Sequence, residues 1–587
     1  MHRSISKVSN PLALALITLA GFLGYGNIFD SSFHFDDRPT LIDNPAIRDL
    51  GDVHKLWSFY PPRFVGFLSF ALNYRLGGLN PAGYHGVNFL LHVVTAFLVF
   101  KLAESIGEAM QSRCAAGAGM PQASDADSWP WRRSVAALLV ALIFAGHPIQ
   151  TQAVTYITQR FALLSAFFYL AALVFYLKFV LTRAAAGTTS TAAAYYALSL
   201  AAAVVAMFCK QNAFTLPFAV VLVEYFFGAP PPERRGARLW RLAPFILTLA
   251  IIPAAILLGG DFDRDKILGL EEGRPSRSQY FFTQFNVLTT YLRLLFFPIN
   301  QNLDYDYPLS SGLFEWPAMG SFLLLAGVLL LAVRSFKTCR PVAFGILFFF
   351  LALAVESSFV SLDNVIYEHR LYLPSVGFFI ALVFGLFHVA GKPAIFRLMG
   401  FVLGLLAAIF VLGTHHRNQV WKDEVTLWTD VTAKSPGKGR GHYNLGLALA
   451  SRGTVGPAVM EYNRALAIDP ENAAARLNLG VAYLQMNLPE KAVEQYRLAL
   501  ALRPDYAEAY YNLGVAYARL GQKDKSAAYY RKTLSIDPRY ARAHNNLAVY
   551  YYDRGEFAKA VGHADRARRQ GYRVHPDFLK LLRPYRR

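Results

Sequence analysis

The sequence is short of charge and nearly without cysteine. Only 17% of its 587 residues are charged and 3 are Cys, whereas soluble globular chains carry about 25% charged residues. So few thiols leave no disulfide framework. No Asn-x-Ser/Thr sequon occurs, which leans toward a bacterial inner membrane over the secretory pathway. What the chain has in excess is apolar: 54% hydrophobic residues and a mean hydropathy of +0.29. Uncharged apolar runs of 16 to 26 residues recur up to about residue 414 and then stop. Runs of about 18 to 20 residues are long enough to cross a bilayer as helices. A single soluble domain and an intrinsically disordered chain are both excluded. The net charge of +19 does not point to nucleic acid, because many Lys and Arg flank apolar runs, where they set topology.

Eleven spans are expected, near 11–29, 84–103, 133–149, 161–181, 191–209, 213–228, 242–259, 317–334, 341–359, 372–390 and 396–414. The first is preceded by Arg3 and Lys7 and followed by no A-x-A-like site, so it reads as an uncleaved anchor. With the N-terminus in the cytoplasm, the inner loops hold Arg132/Arg133, Lys178/Arg183, Arg234/Arg235/Arg238/Arg241, Arg334/Lys337/Arg340 and Lys392/Arg397. That is about 17 Lys+Arg in roughly 82 inner residues against about 13 in roughly 137 outer ones, the asymmetry expected of cytoplasmic loops. Residues 278–299 are apolar but would invert this pattern as a span, so they are expected to form an interfacial or re-entrant helix on the outer face. An odd number of spans puts the region after 414 outside the cytoplasm.

From residue 415 the pattern changes. Asn-Leu-Gly recurs at 444–446, 478–480 and 512–514, then Asn-Leu-Ala at 546–548, and Pro recurs at 436, 470, 504 and 538. Both periods are 34 residues, the tetratricopeptide repeat length. Ala458, Ala492 and Ala560, then Trp428, Tyr462, Tyr496 and Tyr530, repeat in phase. The expected organisation is all-α: a polytopic transmembrane bundle over 1–414, then a tetratricopeptide solenoid over 415–587. The solenoid has a half repeat at 421–436, four repeats over about 439–572 and a basic cap ending RRPYRR. Residues 415–587 hold 28 Lys+Arg against 16 Asp+Glu, a balance of +12 that favours an anionic surface, either lipid headgroups or an acidic partner.

The outer segments 30–83 and 260–316 are long, and passive connections in a bundle are short. The first opens Ser-Ser-Phe-His-Phe-Asp-Asp-Arg, with Asp36 and Asp37 just beyond the first span. Adjacent carboxylates there could serve as a general base, bind a divalent cation, or orient an acceptor hydroxyl; they could equally be a solvated turn. In extended backbone, neighbouring side chains point apart, so one of the two is expected to face a given substrate atom. Several groups map to the same outer face: His147, Arg160, Lys210, and Glu368-His369-Arg370. Arg160, Lys210 and Arg370 together could surround a phosphate at headgroup depth, since a guanidinium fork binds phosphate oxygens bidentately. His147, Glu368 and His369 are supporting candidates, any of which could instead be an interfacial anchor. His92 reads as a core histidine. No metal ligand set is evident. Asn444, Asn478, Asn512 and Asn546 share one repeat position, and a column of amides along a groove can pair with an extended peptide backbone.

These residues carry a resemblance. FDDRPTLIDNPAI, YHGVNFLLHVVTAFLV, GHPIQTQAVTYITQR, the LPF after CKQN, YLRLLFFPINQNLDYDYP, EHRLYLPSVGF and WKDEVTLW occur in order. Together they resemble the membrane core of the transmembrane and tetratricopeptide repeat-containing O-mannosyltransferase family and its bacterial relatives, within the GT-C superfamily. The resemblance implies a multi-span enzyme whose first external loop supplies an acidic catalytic motif, matched here by Asp36 and Asp37. It implies a polyprenyl-phosphate-linked sugar donor and a hydroxyl acceptor such as Ser or Thr of an exported protein. Where relatives commonly read Lys-Glu and Glu-Arg, this chain has Lys210-Gln211 and Glu368-His369-Arg370. The asparagine column resembles the ladder of the nucleocytoplasmic O-linked N-acetylglucosamine transferase. The competing expectation is a membrane-anchored scaffold whose repeats recruit envelope proteins and whose outer loops are structural.

Overall fold

Inside a bilayer every backbone N–H and C=O must be satisfied within the protein, so long apolar runs fold as helices. The computed structural model describes residues 8–115, 129–184, 189–228, 235–258, 274–390 and 392–586. Arg3, Lys7, Arg234, the side chains of Arg132 and Arg235, and 260–273 of the second outer segment lie outside the described residues. Among the described residues the secondary structure is helical throughout, with no β-strand. Contacts divide the chain into two compact units, residues 1–426 and 427–587.

In the first unit each of the eleven expected apolar stretches is helical. Among the described residues six helices are long and apolar enough to cross a membrane: Pro81–Arg113, Ile157–Ala184, Thr189–Met207, Gly236–Leu257, Ala318–Thr338 and Pro393–Trp421. A bent pair, Arg133–Gly146 with Pro148–Thr155, adds a seventh, and four apolar helices are shorter. Small residues allow close packing. At Gly345 and Gly377 a Cβ would lie 2.3 and 2.4 Å from the other glycine's carbonyl oxygen, so helices Arg340–Leu353 and Pro374–Ala390 touch backbone to backbone.

The expected interfacial segment is helix Arg277–Phe296, opened by a capping box at Ser276 and Gln279. Its buried face is polar, with Tyr280, Thr283, Gln284, Asn286 and Tyr291. Three of these side chains hold the backbone of 356–367: Tyr280 donates to the carbonyl of Glu356 at 2.6 Å, Tyr291 to that of Tyr367 at 2.9 Å and Gln284 to that of Val365 at 3.1 Å.

The second unit is the tetratricopeptide solenoid. Helices Gly439–Ser451 and Val455–Ile468, Ala473–Gln485 and Pro489–Leu502, Ala507–Arg519 and Lys523–Ile536, and Ala541–Asp553 and Phe557–Arg569 form four pairs, capped by Pro576–Leu582. The glycine of each Asn-Leu-Gly makes room for an aromatic ring sixteen residues later. A Cβ on Gly446, Gly480 or Gly514 would sit 2.6, 2.5 and 2.6 Å from the rings of Tyr462, Tyr496 and Tyr530. In the fourth repeat both members change together: Ala548 replaces glycine and Ala564 replaces tyrosine, and both are buried.

Candidate functional site

The first outer loop folds its acidic motif into a tight turn. Phe35 has φ +38°, unusual for a residue with a Cβ. The backbone N–H groups of Asp37 and Arg38 donate to the carbonyls of His34 and Phe35 at 2.7 and 3.1 Å. The two aspartates then part company. Asp37 is fully buried. Its Oδ2 accepts the His34 N–H at 2.9 Å, and its Oδ1 accepts the Thr158 N–H at 2.7 Å together with the Thr158 hydroxyl. Burial raises its pKa to about 7, against the opposing pull of these donors. Asp36 is only half-buried, and its backbone N–H donates to the Tyr156 hydroxyl at 2.8 Å.

His34 anchors the turn from the other side. Its Nε2 lies 2.7 Å from the Trp421 carbonyl oxygen, and burial lowers its pKa to about 4, so it is the neutral donor of that bond. The Ser32 N–H donates to the Lys422 carbonyl at 3.2 Å. The loop is thus tied to the end of the last long helix.

A second cluster lies beyond Tyr156. Burial first, then the charges of Asp36 and Asp37, push the Tyr156 hydroxyl upward, and Tyr367 adds to the same effect. Tyr367 stacks on His369 with ring centroids 5.0 Å apart. His369 is held neutral by burial and by Lys210, Arg370 and Arg63, and its N–H donates to Gln152 at 2.6 Å. Lys210 pairs with Glu356 at 2.7 Å, both side chains being about a tenth exposed. Burial lowers Lys210, Glu356 opposes that, and Arg63 and Arg370 add to it. Arg370 donates to the carbonyls of Asn364 and Val365 at 2.8 and 3.1 Å, and its guanidinium is pinned in the charged form by Tyr280, Tyr291 and Glu356 despite burial. Two further cations, Arg63 and Arg370, therefore act on the Lys210–Glu356 pair.

Two members of this cluster were not among the sequence candidates. Arg63 lies over the rings of Phe161 and Tyr60, 5.0 and 5.3 Å from their centroids, and its Nε is buried without a hydrogen-bond partner. Gly66, one turn later, lets this segment approach, since a Cβ there would fall 2.2 Å from Phe161. Glu356 sits at the end of an apolar helix, where nothing in the local pattern marks it. The only sequence signal for Arg63 was the length of its loop.

Other candidates are engaged structurally. The Arg160 guanidinium is fully buried and donates to Asn88, Asn73 and the carbonyls of Tyr84 and Ser69, with Phe70 beneath it at 4.6 Å. These neutral acceptors join the first outer loop to helix Arg160–Ala184, and the cations acting on Lys210 are Arg63 and Arg370. His147 uses both ring nitrogens, one accepting the Ile149 N–H and the other bonded to the Leu295 carbonyl, each at 3.1 Å. The Glu368 carboxylate accepts from Gln301, the Asn302 N–H and the Tyr305 hydroxyl at 2.9, 2.6 and 2.6 Å, anchoring the second outer segment. Among the described residues no group of three or more His, Cys, Asp or Glu converges as a metal site.

In the solenoid two asparagines of the column bond the preceding repeat. Asn478 donates to the Tyr443 hydroxyl at 3.1 Å and Asn546 to the Tyr511 hydroxyl at 3.5 Å. The Asn444 amide nitrogen is buried without a hydrogen-bond partner.

Comparison with known proteins follows this division. Family models described as "TPR repeat" match residues 446–487 and 490–521, and models described as "Tetratricopeptide repeat" match 507–540 and 541–569. Protein O-mannosyl-transferase F38B6.6 of Caenorhabditis elegans is 25% identical over 480 residues, covering 78% of this chain and 62% of that one. Protein O-mannosyl-transferase TMTC4 of Mus musculus is 26% identical, covering 77% and 66%. TMTC3 of Homo sapiens is 24% identical, covering 77% and 51%. The chain thus spans about half to two thirds of the length of these relatives. Among solved structures, the crystal structure of MamA aligns at 27% identity over 25% of this chain and 86% of its own, with a TM-score of 0.24. The family resemblance carried by the sequence motifs is borne out by the relatives.

Proposed function

We propose that this chain, a relative of the TMTC-family protein O-mannosyltransferases, is an integral-membrane glycosyltransferase. It moves a sugar, mannose by analogy, from a polyprenyl-phosphate-linked donor to a hydroxyl acceptor. The acceptor is a Ser or Thr of an exported protein held by the repeats. The observation that carries this reading is the half-exposed Asp36 standing one tyrosine pair away from a buried cluster of three cations.

Asp36 is the base. It takes the acceptor proton as the oxygen attacks the anomeric carbon, and the sugar–phosphate bond breaks in the same displacement. One base and no covalent intermediate give inversion. The departing phosphate gains charge as its bond breaks, and Arg63, Lys210 and Arg370 neutralise it in a site largely screened from water. Glu356 spaces the cations and holds Lys210 charged. Asp37 does not reach substrate; it fixes the turn that presents Asp36. Arg160, Glu368 and His147 position the loops, and the asparagine column holds the acceptor chain, raising its local concentration. In this reading the chain lies in a bacterial inner membrane with residues 1–414 as the transferase domain, the N-terminus cytoplasmic, and 415–587 extracytoplasmic, as the cation asymmetry favours.

The test is sugar transfer by the purified full chain from a polyprenyl-phosphate-linked mannose donor. Asp36→Asn is expected to abolish transfer while donor binding persists. Full activity in that variant refutes the base assignment. Full activity in an Arg63→Ala/Arg370→Ala double variant refutes the phosphate site, and absence of transfer by the unmodified chain leaves the scaffold reading in its place.

A further inference from the structure

The C-terminal end of the solenoid carries two cavities that share Tyr572 as a wall. The first, of about 400 Å³, is lined by Asn545, Val549, Tyr572, Arg573, His575 and Phe578. The second, of about 370 Å³, lies against Arg539, Tyr540, Arg542 and Tyr572. Both sit where the asparagine column ends: Asn546 donates to Tyr511, and Arg542 and Tyr572 are among the groups acting on that same Tyr511 hydroxyl.

Their chemistry is mixed in a specific way. Val549 and Phe578 supply an apolar floor, with Val549 41% exposed. The Asn545 amide and the Tyr572 hydroxyl supply neutral polar groups. Arg542 and Arg573 are exposed and have no carboxylate partner among the described residues. The one acid lining either cavity, Asp537, already accepts the Arg539 N–H at 2.9 Å. A recess with an apolar floor and a few convergent donors selects a compact group with one charged end, and two free guanidinium forks select an anion of carboxylate or phosphate geometry. A bilayer is engaged by protruding apolar side chains and a broad basic face, whereas these groups line recesses along helix Ala541–Asp553, which carries the last asparagine of the column.

We propose that the paired cavities around Tyr572 are a subsite for a carboxylate-bearing segment of a bound polypeptide. The carboxylate, from an acidic side chain or a chain terminus, is held by Arg542 and Arg573, and the neighbouring apolar residue seats on Val549 and Phe578. This deepens, and rests on, the reading of the repeats as the surface that holds the acceptor.

The experiment uses the full chain in nanodiscs of zwitterionic lipid and short fluorescent Ser/Thr-containing peptides, read by anisotropy. One peptide is neutral and amidated, one carries an internal Glu, and one ends in a free carboxylate. At least one carboxylate peptide is expected to bind about ten-fold more tightly than the neutral one, and comparing the two identifies the source of the carboxylate. In Arg542→Gln/Arg573→Gln the preference is expected to disappear, and in Arg542→Lys/Arg573→Lys to return in part, with melting curves unchanged in both. Equal binding of all three peptides, or a preference that survives the Gln variant, overturns the subsite. So does a Gln variant that loses only its affinity for phosphatidylglycerol vesicles, which would make this face a membrane contact. Asp36→Asn is expected to keep the peptide preference, so failure of the transfer chemistry and failure of the subsite are read separately.

Discussion

The Asp37 carboxylate accepts the backbone N–H of Thr158 at 2.7 Å, across 121 residues of chain. Together with the Thr158 hydroxyl and the His34 N–H, this bond turns an acid next to the candidate base into a strut. The geometry separates the two aspartates by what each can touch.

Asn at position 36 keeps the turn and removes the base, so Asp36→Asn should lose transfer by a factor of at least 10² with little change in melting temperature. Asp37→Asn puts an amide N–H₂ where two or three donors already converge. Each buried donor left without its acceptor costs about 1–3 kcal/mol, so this variant should lose thermal stability and activity together. Parallel thermal melts and transfer assays separate the two patterns.

Asp37 also titrates in a useful range. Its folded pKa is raised to about 7 from an ordinary 3.8, so the folded state binds a proton more readily than the unfolded one. Its contribution to stability is full below about pH 4 and is lost as pH rises through 7. Wild type should therefore show a melting temperature that falls from about pH 4 to about pH 7 and levels off above, a slope absent in Asp37→Asn. A variant with the same pH slope would place the titration elsewhere.

Arg63 is the residue that local pattern could not single out. Arg63→Ala should raise KM for the lipid-linked donor about ten-fold or more, the worth of one charge-assisted contact. Arg63→Lys should recover part of this, since charge is kept but the fork is lost. An unchanged donor KM in the Ala variant would remove Arg63 from the phosphate site.

The glycine–tyrosine register of the repeats gives a test of packing. Gly480→Ala pushes a methyl group to 2.5 Å from the Tyr496 ring, an overpacking expected to cost about 1–3 kcal/mol. Gly480→Ala/Tyr496→Ala reproduces the Ala548/Ala564 pair of the fourth repeat and should regain part of that loss relative to the two single changes. Hydrogen exchange in helices Ala473–Gln485 and Pro489–Leu502 of the full chain reads the effect locally.

The fourth repeat also carries a pH-sensitive pair. His544 and His563 face each other with Nδ1 atoms 2.9 Å apart, and His544 Nε2 bonds the Pro538 carbonyl, so one bridging proton suffices. Burial, then the neighbouring His544 and Arg566, lowers His563 to about 4. The unfolded histidine gains a proton below about 6.5, so protection of helices Ala541–Asp553 and Phe557–Arg569 should be level above that pH and fall down to about 4. His563→Gln should flatten the profile.

What the sequence made legible was whatever repeats or persists. Apolar runs betray their helices through length, and the 34-residue period fixes the solenoid because each repeat needs the same glycine beside the same ring. The acidic motif was visible because two carboxylates just past an apolar run are costly without a purpose. Their division of labour was not, because it depends on Thr158 and Tyr156, which lie in another helix hairpin. Arg160 looked like Arg370 in sequence, yet Asn73 and Asn88 surround it with neutral acceptors that only the folded loop brings there. Arg63 and Glu356 were invisible for the same reason: each becomes significant only through Lys210, more than a hundred residues away from either.

The hold that His34 and Ser32 keep on the backbone at 421–422 has a consequence for biogenesis. The acidic turn leaves the ribosome long before its clasp, which is among the last parts of the bundle to be made. Until the final long helix has been inserted, the base has no fixed seat. In the proposed mechanism a nascent or truncated chain would meet its donor with the chemistry still unassembled, so that competence waits on the closing of that clasp.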